Sequence, residues 1–534
     1  MRVYFWIGLS LLLLLNKPVI SQVNLTTTNL PIVYIFTNGQ PIIIDTSIVC
    51  DMGIIYNGEG ETNHITDPFN NYDGKISIRK RGSTSLCYPK NSYRFETQDS
   101  EGQNINVSLM DLPEENDWIL YGPFGDKSLM RNVLIYELAR KMGWYAPRTR
   151  FCELILDNEY WGVYVLIEKI KRDNNRVDIS KLTSEDTTGG EITGGYLLQI
   201  DRWEGAGWHS GYNWNIYFEY IYPDDDEIVP EQESYIQNFI YQFEDSLFNL
   251  TTFNNSTMVN TVDFDSFVDY IILNELSKNA DAYRLSTYLH KDKDSVDGRL
   301  KMGPIWDYNL AFGNYCDFFA YRTENFIYSD TVFWNAAPFW FRKLMSFELF
   351  QDKVRCRWDE LRTNILHENT IESIIDSSYN FLYEAQQRNF EKWDILGFPV
   401  WPNYYYGDTY EEEIEILKDW TFERIIWLDE NIPGYCFTTT FVDENIQNNI
   451  NLNISPNPIS SIARVDYNLK EAVRVQLHIY DIYGRLIAIN HFNNSAGLNK
   501  HTINTEHLGP GLYLFSLEID GKSVSVKSAV KIKN

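Results

Sequence analysis

The chain lacks any C-x-x-C pair. Its six cysteines (Cys50, Cys87, Cys152, Cys316, Cys356 and Cys436) stand far apart, a pattern that excludes the usual zinc-binding spacings. An exported chain could pair some of them, and sequence alone assigns no partners. Basic charge is also scarce: Lys and Arg number 46 against 74 Asp and Glu, a formal charge of −28. Such a surface repels a phosphodiester backbone, which excludes a general nucleic-acid binder. A local basic pocket with a divalent cation can still reverse the field and admit a nucleotide. Long apolar runs are missing after the N-terminus. The run from Val3 to Leu15, behind Arg2, is too short to cross a bilayer comfortably, and Val19-Ile20-Ser21 leads to a cleavage point near Ser21 or Gln22. Residues 1–22 therefore read as a secretory signal peptide, and the mature chain is expected to have no transmembrane segment.

What the chain does have is a hydrophobic content of 44% with 15% aromatics, ample for a large core. Short β-branched runs broken by Asn-Gly, Gln-Pro and Asp-Thr predict strands over 30–55, and KISIRKRGSTSLCYPKNSYRFE predicts two more around a Gly-Ser-Thr-Ser turn. Asp126 opens the first helix, with Leu129, Met130, Val133, Leu134 and Leu138 at helical spacing and Gly143 as its stop. RFCELILDNEYWGVYVLIEKI predicts a hairpin turning at Asp157-Asn158. Beyond residue 230 the periodicity is mostly helical, over 235–248, 263–276, 339–362 and 411–428, with strand-like STYLHKD and KMGPIWDYN between two of these. Strands first and helices later predict an α+β domain of two lobes across 30–435. An Asn-rich linker at 436–452 follows. Short alternating strands, punctuated by Pro456-Asn457-Pro458, Tyr483-Gly484 and Gly509-Pro510-Gly511, then predict a small all-β, Ig-like sandwich at 453–534.

Phosphoryl transfer needs a turn near the phosphates, a fixed cation, carboxylates for divalent metal and a carboxylate near the accepting hydroxyl. The chain offers these parts in order. Arg79, Lys80 and Arg81 crowd into Gly82-Ser83-Thr84-Ser85, and Lys90 follows on the next strand. Glu137 lies on the first helix, placed to pair with a strand lysine. Asp281 follows a helix in NELSKNADAYRLS, and Asp307 ends a strand in GPIWDYNLAFGN. Each has a plain alternative: a solvated loop, a surface ion pair of small value, a helix cap. Spacing alone does not decide between them. The acidic run 224–227 suits calcium less well than solvent, His209 between aromatics reads as a packed loop residue, and the aromatics at 334–341 and 401–406 suit either sugar stacking or packing.

The strings IRKRGSTSLCYPKNSYRFET, LMDLPEENDWILYGPFGDKSLMRNVLIYELARKMG, TGGYLLQIDR, NELSKNADAYRLSTYLHKD and GPIWDYNLAFGN, in that order, resemble the CotH family of spore-coat kinase-like proteins. The resemblance implies a diverged two-lobed protein-kinase-like fold, ATP with Mg²⁺ or Mn²⁺, and a protein acceptor. It implies that Asp307 and Asn279 serve the metal, that Asp281 orients or deprotonates the acceptor hydroxyl, and that Lys90 grips phosphate with Glu137 as its partner, with Arg79, Arg81 and Lys169 as the alternatives sterically able to take its place. Arg79, Arg81, Gly82, Ser83 and Glu168, the last in the hinge-like VYVLIEKIK, would contact nucleotide. Asn309 replaces a second Asp of some relatives and the turn has a single Gly, so a catalytically inactive structural or adhesive copy is the alternative. The C-terminal ISPNPISSIARVDYNL, VQLHIYDIYGRLI and LGPGLYLFSLEIDGKSVSVKSAVKI are similar to type A sorting domains of the type IX (Por) secretion system of Bacteroidota. That likeness implies Sec export, delivery by the type IX machinery, and release or surface attachment.

Overall fold

Strand alternation in the first 170 residues closes on itself. In the computed structural model, which describes residues 23–436 except 255, 318 and 330–335, and 450–532 except 451, 471, 482–485, 520 and 521, the chain opens with β1 (Thr27–Thr28), β2 (Ile32–Phe36), β3 (Ile48–Ile55), β4 (Asn63–His64), β5 (Tyr72–Arg81), β6 (Ser92–Gln98), β7 (Asp117–Tyr121), helix α1 (Arg131–Lys141), β8 (Thr149–Leu156) and β9 (Glu159–Glu168). Seven of these strands form a closed barrel in the order β2-β3-β5-β6-β7-β9-β8, sealed by the parallel pairing of β2 with β8. Closure removes the exposed sheet edges. The expected signal peptide, most of the expected linker, Tyr483-Gly484 and Trp334 lie outside the described residues.

The period of two sorts the barrel side chains into two sets. Ile76, Ile78, Tyr93, Phe95, Trp118, Leu120, Tyr164 and Leu166 fill the interior, each large apolar side chain contributing about 1.5–3 kcal/mol by leaving water. The alternate residues Ser77, Arg79, Arg81 and Arg94 are thereby turned to the outer face. The hairpin between β8 and β9 turns at Asp157 and Asn158, both with positive φ (47° and 65°), as the tight primed turn requires. Asp157 also accepts from the Thr37 N–H at 2.7 Å, which fastens the turn to the end of β2.

Helix α1 begins at Arg131, five residues later than the periodicity suggested. Asp126 explains the delay. Its carboxylate accepts from the Arg131 N–H at 2.9 Å and the Arg131 guanidinium at 2.6 Å, so it organises the turn before the helix from outside it. Next come β10 (Tyr196–Asp201), β11 (Gly207–His209), β12 (Tyr217–Tyr222), α2 (Pro230–Phe248), α3 (Phe264–Ser277), β13 (Thr287–Lys291), a single turn α4 (Asp294–Asp297) and β14 (Leu300–Met302). The strands make an antiparallel sheet ordered β11-β12-β10-β13-β14. Helix α3 is buried at every residue but Asp265.

Helices then follow along the chain: α5 (Trp340–Leu344), α6 (Glu348–Arg362), α7 (Glu368–Leu382), α8 (Ala385–Lys392) and α9 (Tyr410–Asn431). The single helix expected over 339–362 is two. Ser346 turns its hydroxyl back onto the Lys343 carbonyl at 2.6 Å, and Phe347 is extended, so the ladder stops between them. Helices α7 and α8 lie in a stretch that the periodicity reading passed over. Strand β14 is also shorter than expected: Asp307 stands five residues beyond it, in irregular backbone.

The second unit comprises 351–356 and 433–534. Its strands are β15 (Asn453–Ser455), β16 (Ile462–Leu469), β17 (Arg474–Asp481), β18 (Leu486–Asn493), β19 (Gly497–Asn504), β20 (Gly511–Ile519) and β21 (Lys522–Lys531). They form antiparallel sheets ordered β15-β16-β19 and β18-β17-β20-β21. Val465, Tyr467, Leu477, Ile479, Phe515 and Leu517 share one buried core between them. Cys356 and Cys436 form a disulfide, a pairing that spacing could not assign; Cys50 and Cys152 are buried thiols, Cys87 is exposed and Cys316 half-buried. Among the described residues no helix is long and apolar enough to cross a membrane.

Candidate active site

Helix α3 ends on Lys278 in the left-handed conformation (φ 45°), and Tyr283 (68°), Ser286 (49°), Asp307 (63°) and Phe312 (52°) share that sign of φ. A non-glycine residue there costs on the order of 1 kcal/mol, and such positions cluster where geometry is held for function. Here they steer two loops together. The Asn279 side chain joins them: Oδ1 accepts from the Asp281 N–H at 3.3 Å, and Nδ2 donates to the Asp307 carbonyl at 3.4 Å. From the other side α1 fixes Asp307. The Tyr136 hydroxyl accepts from the Asp307 N–H at 3.1 Å, and Asn132 Oδ1 accepts from the Tyr308 N–H at 2.7 Å. Asn132 and Tyr136 are four apart and so share one helix face.

Basic side chains converge from three elements. Arg81, at the end of β5, lays its guanidinium over the Trp306 ring at 5.3 Å. Arg284 donates to Asp281 Oδ1 at 2.5 Å. Arg202, just after β10, donates to Ser83 Oγ at 2.5 Å and so brings the 82–85 turn to the site. Gly82 is required in that turn: its φ is 120°, and a Cβ there would lie 2.1 Å from Ser85 Oγ. Asp201 closes the group, accepting from the Ser286 N–H at 3.1 Å and the Arg202 N–H at 2.8 Å.

The carboxylates feel one another. Burial pushes the Asp307 pKa up to about 6; the Asp281 charge adds to that rise, Arg81 opposes it, and Asp201 and Arg202 follow with opposite signs. Asp281 is also raised, by burial first, with Arg284 and Arg202 working against it and Asp201 for it. Both side chains nonetheless remain partly open to solvent. Three aspartates and three arginines therefore share one field in which a developing negative charge meets guanidinium groups and a cation meets carboxylates.

Several expected residues stand elsewhere. Lys90 precedes β6 instead of lying on it and is buried; its ammonium donates to Asn389 Oδ1 at 2.7 Å and the Pro123 carbonyl at 3.3 Å and lies over the Tyr164 ring. Burial holds its pKa well below the usual lysine range, which leaves no free cation to grip phosphate. Glu137 does not pair with it. One residue past Tyr136, it points about 100° around the helix and binds Arg140 at 2.6 Å and Lys141 at 3.4 Å. Glu168 is buried at the end of β9, accepting from the Arg148 N–H at 2.9 Å and the Tyr145 hydroxyl at 3.3 Å. Arg79 lines a hollow with Ser47, Ser77, Arg94 and Glu96. Asn279 spends its amide on the two loops.

The barrel supplies a different cation–carboxylate set. Arg94 donates to Asp117 at 3.0 and 2.8 Å, and Lys169 donates to the same carboxylate at 2.9 Å. Burial alone would raise the Asp117 pKa, and Lys169 and Arg94 together hold it below the usual value. The reading of the sequence passed over Arg94, Asp117, Asp201 and Arg202. The available signal was strand parity: Arg94 falls on the outward set of β6, and Asp201-Arg202 is a charged pair ending an apolar strand.

A family described as CotH kinase protein matches residues 78–428, well over half of the chain. The chain belongs to the CotH family. The match includes the 82–85 turn, Asp201, Asp281 and Asp307, and the family's description as kinases implies ATP. In this CotH protein residues 453–531 match a secretion system C-terminal sorting domain, which indicates secretion through the type IX system and an encounter with its machinery. No curated protein matches the chain. Among the described residues no three His, Cys, Asp or Glu side chains converge to hold a metal, the acidic run 224–227 included. His209 ends strand β11 instead of lying in a loop, and its ring stacks on Trp214 at 3.7 Å between centroids.

Proposed function

We propose that this CotH protein transfers the terminal phosphoryl group of ATP to a serine or threonine hydroxyl of an exported protein, in a diverged two-lobed kinase arrangement of barrel and helical region. The observation that carries the reading is the joining of Asp281 and Asp307 through Asn279 within one electrostatic field, beside Arg81 and Arg202. The donor set fits a divalent cation of the Mg²⁺ or Mn²⁺ kind. Such ions take one or two carboxylates and complete their shells with water and phosphate, with no need of an all-protein cage. Asp307 would hold it, with Asp201 or Asp281 facing it, and a cation would offset the burial and the neighbouring Asp281 charge that raise the Asp307 pKa. Held by Asp307 beside Asp201 or Asp281, such a cation would neutralise phosphate oxygens.

The protein's own groups do the rest. Arg81 and Arg202 present guanidinium N–H groups to the phosphates beside the Gly82–Ser85 turn. Asp281 accepts the proton of the acceptor hydroxyl as its oxygen attacks the terminal phosphorus. The bond from that phosphorus to the bridging oxygen breaks, and ADP leaves with the electron pair. Asn279 keeps the two aspartates in register, a positioning role. Arg94, Asp117 and Lys169 are the proposed counterpart of the strand cation and its carboxylate.

Signal-peptide removal on the Sec route and outer-membrane passage with loss of the sorting domain complete the reading. The alternative, an inactive envelope component, draws support from the single glycine in the turn and from Asn309. Incubating the mature chain with labelled ATP and Mg²⁺ or Mn²⁺ separates the two. Label on protein that is lost in Asp281→Ala and in Asp307→Ala is the expected result. Nucleotide binding without any turnover would replace the kinase with the scaffold.

A further inference from the structure

Six aromatic side chains in two loops leave unusually large surfaces in water. Phe319, Phe398, Trp401, Tyr404, Tyr405 and Tyr406 are between 42% (Tyr405) and 61% (Phe398) exposed. Tyr404 and Tyr405 meet each other at 4.8 Å and both meet Tyr321, which in turn meets Phe319, so these rings form a joined exposed aromatic surface of the kind that marks an interaction site. The patch is continuous with the aspartate site. Tyr315 packs with Ala280, the residue before Asp281, and with Ala320, and its ring meets Trp401 edge-on at 6.1 Å. On the far side Tyr88, just beyond the 82–85 turn, lies 6.5 Å from the same Trp401 ring.

The shelf is rigid. Tyr88 donates to the Trp401 carbonyl at 2.6 Å, the Cys316 N–H to the Pro402 carbonyl at 2.9 Å, and Trp420 Nε1 to the Tyr321 carbonyl at 2.7 Å. Asn403 ties its loop to Gly125 and to Asn314 at 2.7 and 2.6 Å. A surface already ordered loses little entropy when something binds to it. Among the described residues no contact accounts for keeping these rings in water, and a core function would have buried them.

We propose that this aromatic shelf docks the acceptor as an extended polypeptide, receiving apolar or aromatic side chains that flank the hydroxyl presented to Asp281. The inference rests on the kinase reading for the identity of the docked molecule as acceptor. Ring geometry favours a polypeptide over a sugar. Tyr321 and Tyr404 stack on each other at 3.5 Å and 7°, Arg322 covers Phe319 at 4.7 Å, and Trp401 is flanked by Tyr88 and Tyr315. The flat faces that a pyranose would need are thus largely taken, while edges and phenol hydroxyls remain for side chains and peptide groups.

The test uses the full mature chain and two labelled twelve-residue peptides with one central serine. One carries leucine and phenylalanine on both sides; the other carries glycine there. Without nucleotide, anisotropy should show the apolar peptide binding at least tenfold tighter, and Trp401→Ala with Tyr404→Ala should abolish that preference. With ATP, the same variant should raise the KM for the apolar peptide about tenfold and leave kcat within twofold. Phe398→Ala, at the most exposed ring, repeats the measurement without disturbing the Tyr88 contact, and unfolding midpoints confirm that each variant is folded. Equal binding of the two peptides, folded variants that keep the preference, or displacement of the peptide by neutral oligosaccharide each overturn the docking proposal. Apolar-peptide binding that depends on the shelf, with no phosphoryl transfer under any condition, overturns the kinase reading and leaves the shelf as a polypeptide site.

Discussion

Asn279 and Asp307 are joined side chain to backbone: the Asn279 amide donates to the Asp307 carbonyl at 3.4 Å while its oxygen accepts from the Asp281 N–H at 3.3 Å. An amide side chain can do both at once, whereas a carboxylate has no donor and a hydroxyl is too short to span the gap. This side chain is one of the ties that set the register of the two loops, beside Tyr136 and Asn132 on the Asp307 loop and Asp201 on the Ser286 side. That tie is why a residue expected to be a metal ligand acts here on backbone groups.

Replacing Asn279 with Asp therefore changes two things. It removes the donor to Asp307, and it adds a negative charge to a site that already holds Asp201, Asp281 and Asp307. We expect kcat to fall on the order of 100-fold, with the acidic limb of the pH–rate profile moving upward because a further carboxylate raises the Asp307 pKa again. A profile that keeps its acidic limb unmoved would count against the shared field.

Asp307 should cost the protein stability. Its pKa is raised from 3.8 to about 6 in the fold, so its contribution is fully present below pH 4 and is lost as pH rises through about 6. At pH 7.5 the charged carboxylate is a burden of about 1–2 kcal/mol once its partial exposure is allowed for. Asp307→Asn is expected to abolish transfer, to raise the urea midpoint at pH 7.5, and to leave it unchanged near pH 3.5. Equal midpoints at both pH values would show that the carboxylate is not destabilised by its surroundings.

Lys90 offers the opposite test. The most obvious phosphate-gripping lysine in the sequence is sealed against Asn389, Pro123 and Tyr164. Lys90→Met keeps its length and removes an ammonium that burial already disfavours. Phosphoryl transfer is expected to stay within about threefold of the parent. Arg81→Met, which removes the guanidinium over Trp306, is expected to raise the KM for ATP at least tenfold. Assays of the two variants side by side would restore Lys90 to the site if the order were reversed.

The contrast between Lys90 and Arg81 marks what the sequence could and could not reveal. Strand alternation and the Asp157-Asn158 turn were legible because they depend on neighbours two or three residues away. Asp281 and Asp307 were also singled out from the sequence, and in the fold the Asn279 side chain joins their loops. The partners of Lys90 and Glu137 were not legible. Asn389 is 299 residues from Lys90, and no local pattern announces that contact. Glu137 was misplaced by a single helical step, because its neighbour Tyr136 carries the face that meets Asp307. Asp201 was hidden for a third reason: a charged pair ending an apolar strand resembles many strand ends until the 286 loop arrives beside it. Register within elements was readable; distant convergence was not.

The segment that follows Asp307 depends on a buried ion pair. Glu275 on α3 and Arg424 on α9 meet at 3.2 Å with both side chains almost wholly enclosed. Burial pushes the Glu275 pKa up and brings that of Arg424 down to about 10. The pair also holds the loop, Glu275 accepting from the Ile327 and Tyr328 N–H groups at 2.9 Å and Arg424 donating to the Thr323 and Asn325 carbonyls at 2.6 and 2.8 Å. Arg424→Met leaves Glu275 charged in a closed space and the carbonyls without donors. The expected cost is about 3–5 kcal/mol, seen in urea unfolding, with faster proteolytic cleavage between 319 and 328. Adding Glu275→Gln should return a large part of that loss, because the neutral amide no longer needs a cation while its oxygen can still accept from the loop. A single-variant loss below about 1 kcal/mol, or a double variant no better than the single, would mean that the pair does not hold this segment in place.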